Sequence, residues 1–303
     1  MSHDHSHTHN HSHHKADFTK AFAFGITLNV IYIIVEAAYG LITDSMALLA
    51  DAGHNLGDVL GLLLAWGGAY LAKTAATKRR TYGLRKSTIL AALFNSIILL
   101  IAVGAITIEA IRRMINPEPV GGTTIMIVAG IGIIINTLTA LLFIKGREKD
   151  LNIKGAFLHM AADAVVSLGV VVAGLLINLT GVYIIDPIIS IIVAVVITVG
   201  TWKLLRDSLH LSMDAVPGEI DYDKVKNYLS SIDGVREVHD LHIWAMSTTE
   251  NALTAHLVMP GEIEDDKFLS KICRNLHEKF GIEHTTIQIE KHPQSLNCKS
   301  KIV

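Results

Sequence analysis

Residues 48–60 read LLADAGHNLGDVL, which places one histidine and two aspartates inside an otherwise apolar run. His54 and Asp58 are four apart and therefore share a helix face, offering an imidazole nitrogen and a carboxylate to the same small volume. The arrangement recurs at residues 157–166, FLHMAADAVV, where His159 and Asp163 have the same spacing. Two such helices facing each other would supply two nitrogens and two oxygens. That set suits a tetrahedral divalent ion, with zinc the natural candidate. An ionisable group within hydrocarbon costs about 2.5–3.5 kcal/mol on insertion scales, so these four positions need a function, a partner or water. Lining a wet cleft or pairing locally is the competing reading. Asp51, three residues before His54, extends the polar face; a fifth ligand would overfill a tetrahedral site, so it reads as cavity wall. Gly53, Gly57 and Gly61 form a spaced-by-four ridge that permits close helix approach.

The elements that must position these groups are helices in a bilayer. Of the 303 residues, half are hydrophobic and only 18% charged, and mean hydropathy is +0.43. The apolar residues fall in six blocks, at 20–42, 46–71, 88–111, 123–144, 156–179 and 183–204. A helical span needs about 20 residues, and open backbone finds no partner in lipid, so six transmembrane helices are expected. The first block is expected to be a span and not a cleaved signal. Lys73, Lys78, Arg79, Arg80, Arg85 and Lys86 follow the second block, and Lys145, Arg147, Lys149 and Lys154 follow the fourth. Residues 42–45 and 180–182 contain no Lys or Arg. This bias puts both termini in the cytoplasm, with Arg112 and Arg113 dissenting. Within the spans, Asn29, Glu36, Asn95 and Asn136 are polar intrusions. Glu109 and Asp186 read as mouth or cap residues, and Glu36 either lines an outward route or hydrogen-bonds between helices.

The flanks differ in character. Seven of the first fourteen residues are histidines alternating with Ser, Thr, Asp and Asn, a tract that cannot pack a core but can hold cations loosely. Beyond 209–217 the chain is soluble in composition. Residues 220–231 predict a helix, 235–244 and 252–258 strands, 265–280 a second helix and 285–290 a third strand, forming a small α+β layer. His239 and His256 lie on consecutive strands and can approach across a hairpin; His292 follows the last strand, with Glu290 two before it. A metal site or polar surface are both open there, and His277 and His284 have no partner placed by periodicity. His239, Asp240 and His242 carry ligand chemistry, yet His239 and Asp240 alternate faces on a strand, so a hydrolytic centre is not expected. Cys273 and Cys298 are too few and too separated for a disulfide framework. The net charge of −2 implies no nucleic-acid partner.

With HNLGD at 54–58, HMAAD at 159–163 and HDLHIW at 239–244, the chain resembles the cation diffusion facilitator family, and more narrowly its bacterial zinc, cobalt and cadmium efflux branch. The resemblance covers nearly the whole length. It implies a homodimer in which each protomer carries a transport site at His54, Asp58, His159 and Asp163 and exchanges cytoplasmic zinc for entering protons. Histidine at position 54, where some relatives have aspartate, points toward zinc. The resemblance also implies a ferredoxin-like cytoplasmic domain that binds further zinc and draws the protomers together. His239 and His256 match ligand positions there; Glu290 and His292 stand where certain relatives have histidine and aspartate, an altered pattern. YGLRK at 82–86 lacks the histidines of an additional loop site. Lys86 matches a position that forms a charge interlock, with Asp214 a nearby candidate for its carboxylate.

The expected organisation is a histidine-rich tail at 1–17, a six-helix transport domain at 18–208, a metal-binding and dimerisation domain at 209–293 and a C-terminal segment at 294–303. The expected function is proton-coupled zinc efflux across the inner membrane, without enzymatic activity or a separate cofactor, with zinc as substrate and as a ligand of the cytoplasmic domain. A passive metal channel would need weak serial sites instead of one converging set. A membrane metal sensor would have no need of ligands inside two spans.

Overall fold

The computed structural model describes residues 16–143, 151–261 and 266–291. Side chains of residues 16–26, 62, 65, 142–143, 151–156, 158, 159 and 266 lie outside that description, as do the N-terminal histidines, His292 and Cys298.

The described residues form, in order, α1 (Ala16–Ile42), α2 (Met46–Ala72), α3 (Ser87–Ile115), α4 (Gly122–Phe143), α5 (Leu151–Thr180), α6 (Ile185–Ser212), α7 (Tyr222–Ser230), β1 (Glu237–Ala245), β2 (Asn251–Val258), α8 (Asp266–Phe280) and β3 (His284–Glu290). Among the described residues five helices are long and apolar enough to cross a membrane: Met46–Ala72, Ser87–Ile115, Gly122–Leu141, Met160–Thr180 and Ile185–Ser212. In α1 the apolar stretch among the described residues is shorter, Thr27–Ile42. The chain thus forms a helical membrane bundle followed by a small α/β domain. Ile34, Ile101, Ile108, Leu138, Val165, Val199 and Trp202 are exposed on these helices, as expected where lipid and not water is the surrounding medium.

Two compact units are distinguished. The first comprises residues 1–59 and 102–196. Its core joins Ala47 and Leu48 of α2, Ile125, Val128 and Ala129 of α4, and Val170 and Ile177 of α5. Buried Asp186 closes the start of α2. Its carboxylate accepts from Ser45 Oγ at 2.5 Å and from the Met46 and Ala47 amides at 2.7 and 3.4 Å. Ser45 Oγ in turn accepts from the Leu48 amide at 3.3 Å. First-turn amides lack helical partners and carry the positive end of the helix dipole, so a carboxylate there is favourable. Asp186 is therefore the expected cap residue, acting on another helix. Arg113 binds the backbone carbonyl of Asp44 and lies 3.4–3.7 Å from Glu109 and Glu118, while Arg112 lies 3.6 Å from Glu109. The charge that dissented from the positive-inside pattern is offset locally. Gly53 of the glycine ridge permits close packing, since a Cβ there would sit 3.2 Å from Ile106 Cδ1.

The second unit comprises residues 60–101 and 197–303. In it β1 pairs antiparallel with β2, and β2 pairs parallel with β3. The parallel pair is joined through α8, since a tight turn cannot connect parallel strands. Val225 and Leu229 of α7, Leu253, Ala255 and Leu257 of β2, and Ile272 and Leu276 of α8 form one core. Both helices pack against it, matching the expected layer. Asp221 caps α7; the hydrogen bond its side chain accepts from the Lys224 amide holds its carboxyl below the ordinary carboxylate range. The same unit pairs Lys86 Nζ with Asp214 Oδ1 at 2.6 Å and Arg85 with Glu250 at 2.9 Å. The Thr248 amide donates to Thr88 Oγ1 at 3.0 Å. Asp214, a candidate by nearness alone, is the carboxylate that Lys86 meets.

Candidate metal centres

The first centre is built on α2 and α5. The helical repeat puts His54 and Asp58 on one face of α2, with His54 Nδ1 3.7 Å from Asp58 Oδ2. From α5, Asp163 Oδ1 comes within 3.5 Å of His54 Nε2. One ligand atom from each of the three lies within 4.8 Å of the others. Neighbouring ligand atoms around tetrahedral zinc are about 3.3–3.4 Å apart, given bonds near 2.0–2.1 Å. A small inward movement of the side chains would therefore close them on one ion. An imidazole gives each ion one nitrogen, so His54 must turn one edge to the metal. Asp163 is almost fully buried, whereas Asp58 and His54 keep partial exposure, so the centre is open on the α2 side. His159 occupies the helical turn before Asp163 on α5; its side chain lies outside the described residues. Thus three of the four positions anticipated from spacing are brought together.

Asp51 is fully buried and accepts from Ser167 Oγ of α5 at 2.9 Å. Glu36, also fully buried, accepts from Tyr32 Oη at 2.6 Å and Asn55 Nδ2 at 3.3 Å. Of the two readings open for Glu36, interhelical hydrogen bonding is the one observed.

The second centre is built on the sheet. His239 and His256 are direct partners in the β1–β2 ladder, and Glu290 pairs with Val258 in the β2–β3 ladder. Nε2 of His239 lies 3.4 Å from Glu290 Oε2, and His256 Nδ1 lies 3.0 Å from Glu290 Oε1. These three residues form the other group spaced to hold a metal among the described residues; His292 lies outside them. Asp240 corrects the alternation expected of β1. A register shift separates His239 from His242, and Asp240 adopts φ +49°, a left-handed conformation. Its carboxylate is 3.4 Å from His256 Nε2 and 3.0 Å from His242 Nε2. The bulge turns Asp240 to the side of the sheet that His256 occupies. Period-2 alternation could not show this; the clustering of carboxylate and histidine in HDLH was the one available signal.

Two groups of His and carboxylate side chains spaced to hold a metal, one on long apolar helices and one on a three-stranded sheet, suit a metal transporter more readily than an enzyme. Residues 23–211 match the cation efflux transmembrane domain, and residues 217–292 match the cytoplasmic domain of cation efflux proteins. The chain is 36% identical over 279 residues to the cadmium, cobalt and zinc/H(+)-K(+) antiporter of Bacillus velezensis, covering 89% of each chain. It is 36% identical over 274 residues to the zinc transporter ZitB of Escherichia coli, covering 90% of this chain and 87% of that one. Against the metal cation efflux system protein CzcD of Cupriavidus metallidurans it is 33% identical over 281 residues, covering 92% and 89%. The chain belongs to the cation diffusion facilitator family, in its zinc, cobalt and cadmium efflux branch, and is a divalent-cation transporter and not an enzyme.

Proposed function

We propose that the chain exports zinc in exchange for protons by alternating access, through a tetrahedral site made by His54 and Asp58 of α2 and His159 and Asp163 of α5. The convergence of His54, Asp58 and Asp163 from two helices is the observation that carries this reading. With both aspartates ionised and both histidines neutral, the ligand set has charge −2 and balances one divalent ion. Releasing the ion leaves that charge in a poorly solvated place, so a proton is drawn in; histidine is the side chain best suited to exchange near neutral pH. The Bacillus relative's name includes proton exchange, which supports the same coupling here. Inward proton movement then favours outward zinc movement.

The rest of the organisation follows the same reading. The ranges are 1–17 for a metal-collecting tail, 18–208 for a six-span transport domain, 209–293 for a ferredoxin-like cytoplasmic domain and 294–303 for the C-terminal segment. The protein sits in the inner membrane as a homodimer with both termini in the cytoplasm. Zinc is the substrate, and His239, His256, Glu290 and His292 hold further zinc in the cytoplasmic domain. In proteoliposomes carrying zinc and pH dyes, zinc withdrawal acidifies the compartment that zinc leaves. Zinc flux without proton movement would favour a passive channel and defeat the exchange mechanism. Absence of any flux would leave the sensor.

A further inference from the structure

Toward the start of α2, on the face that carries His54, stands a pair of acids that the exchange scheme leaves unused. Glu36 on α1 and Asp51 on α2 are both fully buried, and their carboxyl groups are close enough to hydrogen-bond to each other. Among the described residues their hydrogen-bond donors are neutral: Tyr32 and Asn55 for Glu36, Ser167 for Asp51. Asp51 Oδ1, completely enclosed, accepts from no described N–H or O–H. The other titratable groups facing the pair are Tyr32 of α1, His54 of α2 and Asp163 of α5. From α4 the backbone carbonyl of Val128 accepts from Tyr32 Oη at 3.4 Å. Two ionised carboxylates are both acceptors and cannot bond to each other, and burying both without a cation is far more costly than neutralising one.

Building on proton exchange as the mode of transport, we propose that Glu36 and Asp51 together hold one proton in the metal-free protein and release it when a divalent cation seats at the His54, Asp58 and Asp163 site. The pair is then a counter-ion site separate from the metal ligands. Asp51 precedes His54 by three residues on α2, and Ser167 follows Asp163 by four on α5. The Ser167–Asp51 and His54–Asp163 contacts are therefore successive rungs between the same two helices, about 4.5–6 Å apart at 1.5 Å rise per residue. A divalent charge arriving one rung away, in a poorly solvated interior, disfavours the proton; its departure restores it. On release one O–H bond breaks, its electron pair stays on the carboxylate and the proton passes to water, so nothing is oxidised or reduced.

Infrared difference spectra of the full-length protein in lipid nanodiscs, metal-free minus zinc-loaded at neutral pH, test this directly. A protonated-carboxyl C=O band is expected to vanish on zinc addition. It should be missing from metal-free Glu36→Gln and Asp51→Asn, yet present in metal-free His54→Ala. A band absent from the wild type, unmoved by zinc, or surviving both substitutions overturns the assignment. In proteoliposomes Glu36→Gln should exchange one proton fewer per zinc than the wild type. If wild type exchanges protons and this variant keeps the same ratio, the counter-ion site fails while exchange at the metal ligands stands. If wild type moves zinc with no proton at all, exchange itself fails, and the release step with it, even where the static band is seen. Zinc flux that follows a potassium gradient, with no carboxyl band in the wild type, would give the pair to a metal cation and overturn the proton assignment.

Discussion

The two candidate metal centres offer nearly the same ligand types on unlike supports. His54 and Asp163 meet across two helices whose backbones share no hydrogen bonds, so their separation depends on how the helices slide or turn. His239 and His256 face each other as direct partners in a hydrogen-bonded ladder, and Glu290 is held by the next ladder. Backbone pairing sets the register of strands and leaves little freedom to separate the ligands without breaking the sheet. Helix–helix contacts can be exchanged at low cost in small shear or hinge movements. The helical support therefore suits an ion that must be released, and the sheet one that stays.

Asp163→Ala offers the largest effect with which to probe that contrast. Zinc flux in proteoliposomes should fall to the level of empty vesicles, while size-exclusion behaviour stays that of the wild type; retained flux would remove Asp163 from the transport path. Glu290→Gln should lower the number of zinc ions bound per chain, measured by equilibrium dialysis, while flux persists at a reduced rate. Should it abolish flux as completely as Asp163→Ala, the division between a releasing site and a static one collapses. Acidification should weaken zinc binding at both centres, since a ligating imidazole must be unprotonated. Titration calorimetry at falling pH should show the transport-site step moving in wild type and disappearing in Asp163→Ala.

Asp240→Asn keeps the size of the side chain and removes its charge beside His256. A modest loss of zinc affinity confined to the sheet site would make Asp240 part of that centre; an unchanged isotherm would make the bulge a matter of strand geometry. The smallest effect is expected at Asp221. Because the folded group titrates below its unfolded value, its contribution is present above about pH 4. That contribution is lost as pH falls through the lower folded value. Asp221→Ala should speed amide exchange at Lys224 near neutral pH, and the difference from wild type should shrink at the acid end.

Much of this could be read from spacing. The i, i+4 spacing announced that His54 and Asp58 share a face of α2, the apolar blocks announced the helices, and the alternation and turn residues of the tail announced a helix, two strands, a helix and a strand; the partner spacing at His159 lies outside the described side chains. HDLHIW resisted, because a left-handed residue at Asp240 breaks the period on which strand reading depends. Asp51 was visible as a polar residue on the His54 face, but its link to Ser167 and Glu36 was not, since these lie 116 residues downstream and on another helix.

The sequence alone determined which side chains share a helix face, because that follows from 3.6 residues per turn and needs no neighbour. It also determined that α2 to α6 are long and apolar enough to span a membrane, because length and hydropathy are properties of a segment. Only the tertiary structure decided which faces meet. Asp163 opposite His54, Ser167 opposite Asp51, and Asp186 at the first turn of α2 depend on how each helix is rotated and offset against the next. Those rotations result from packing summed over many distant residues and are encoded in no local pattern.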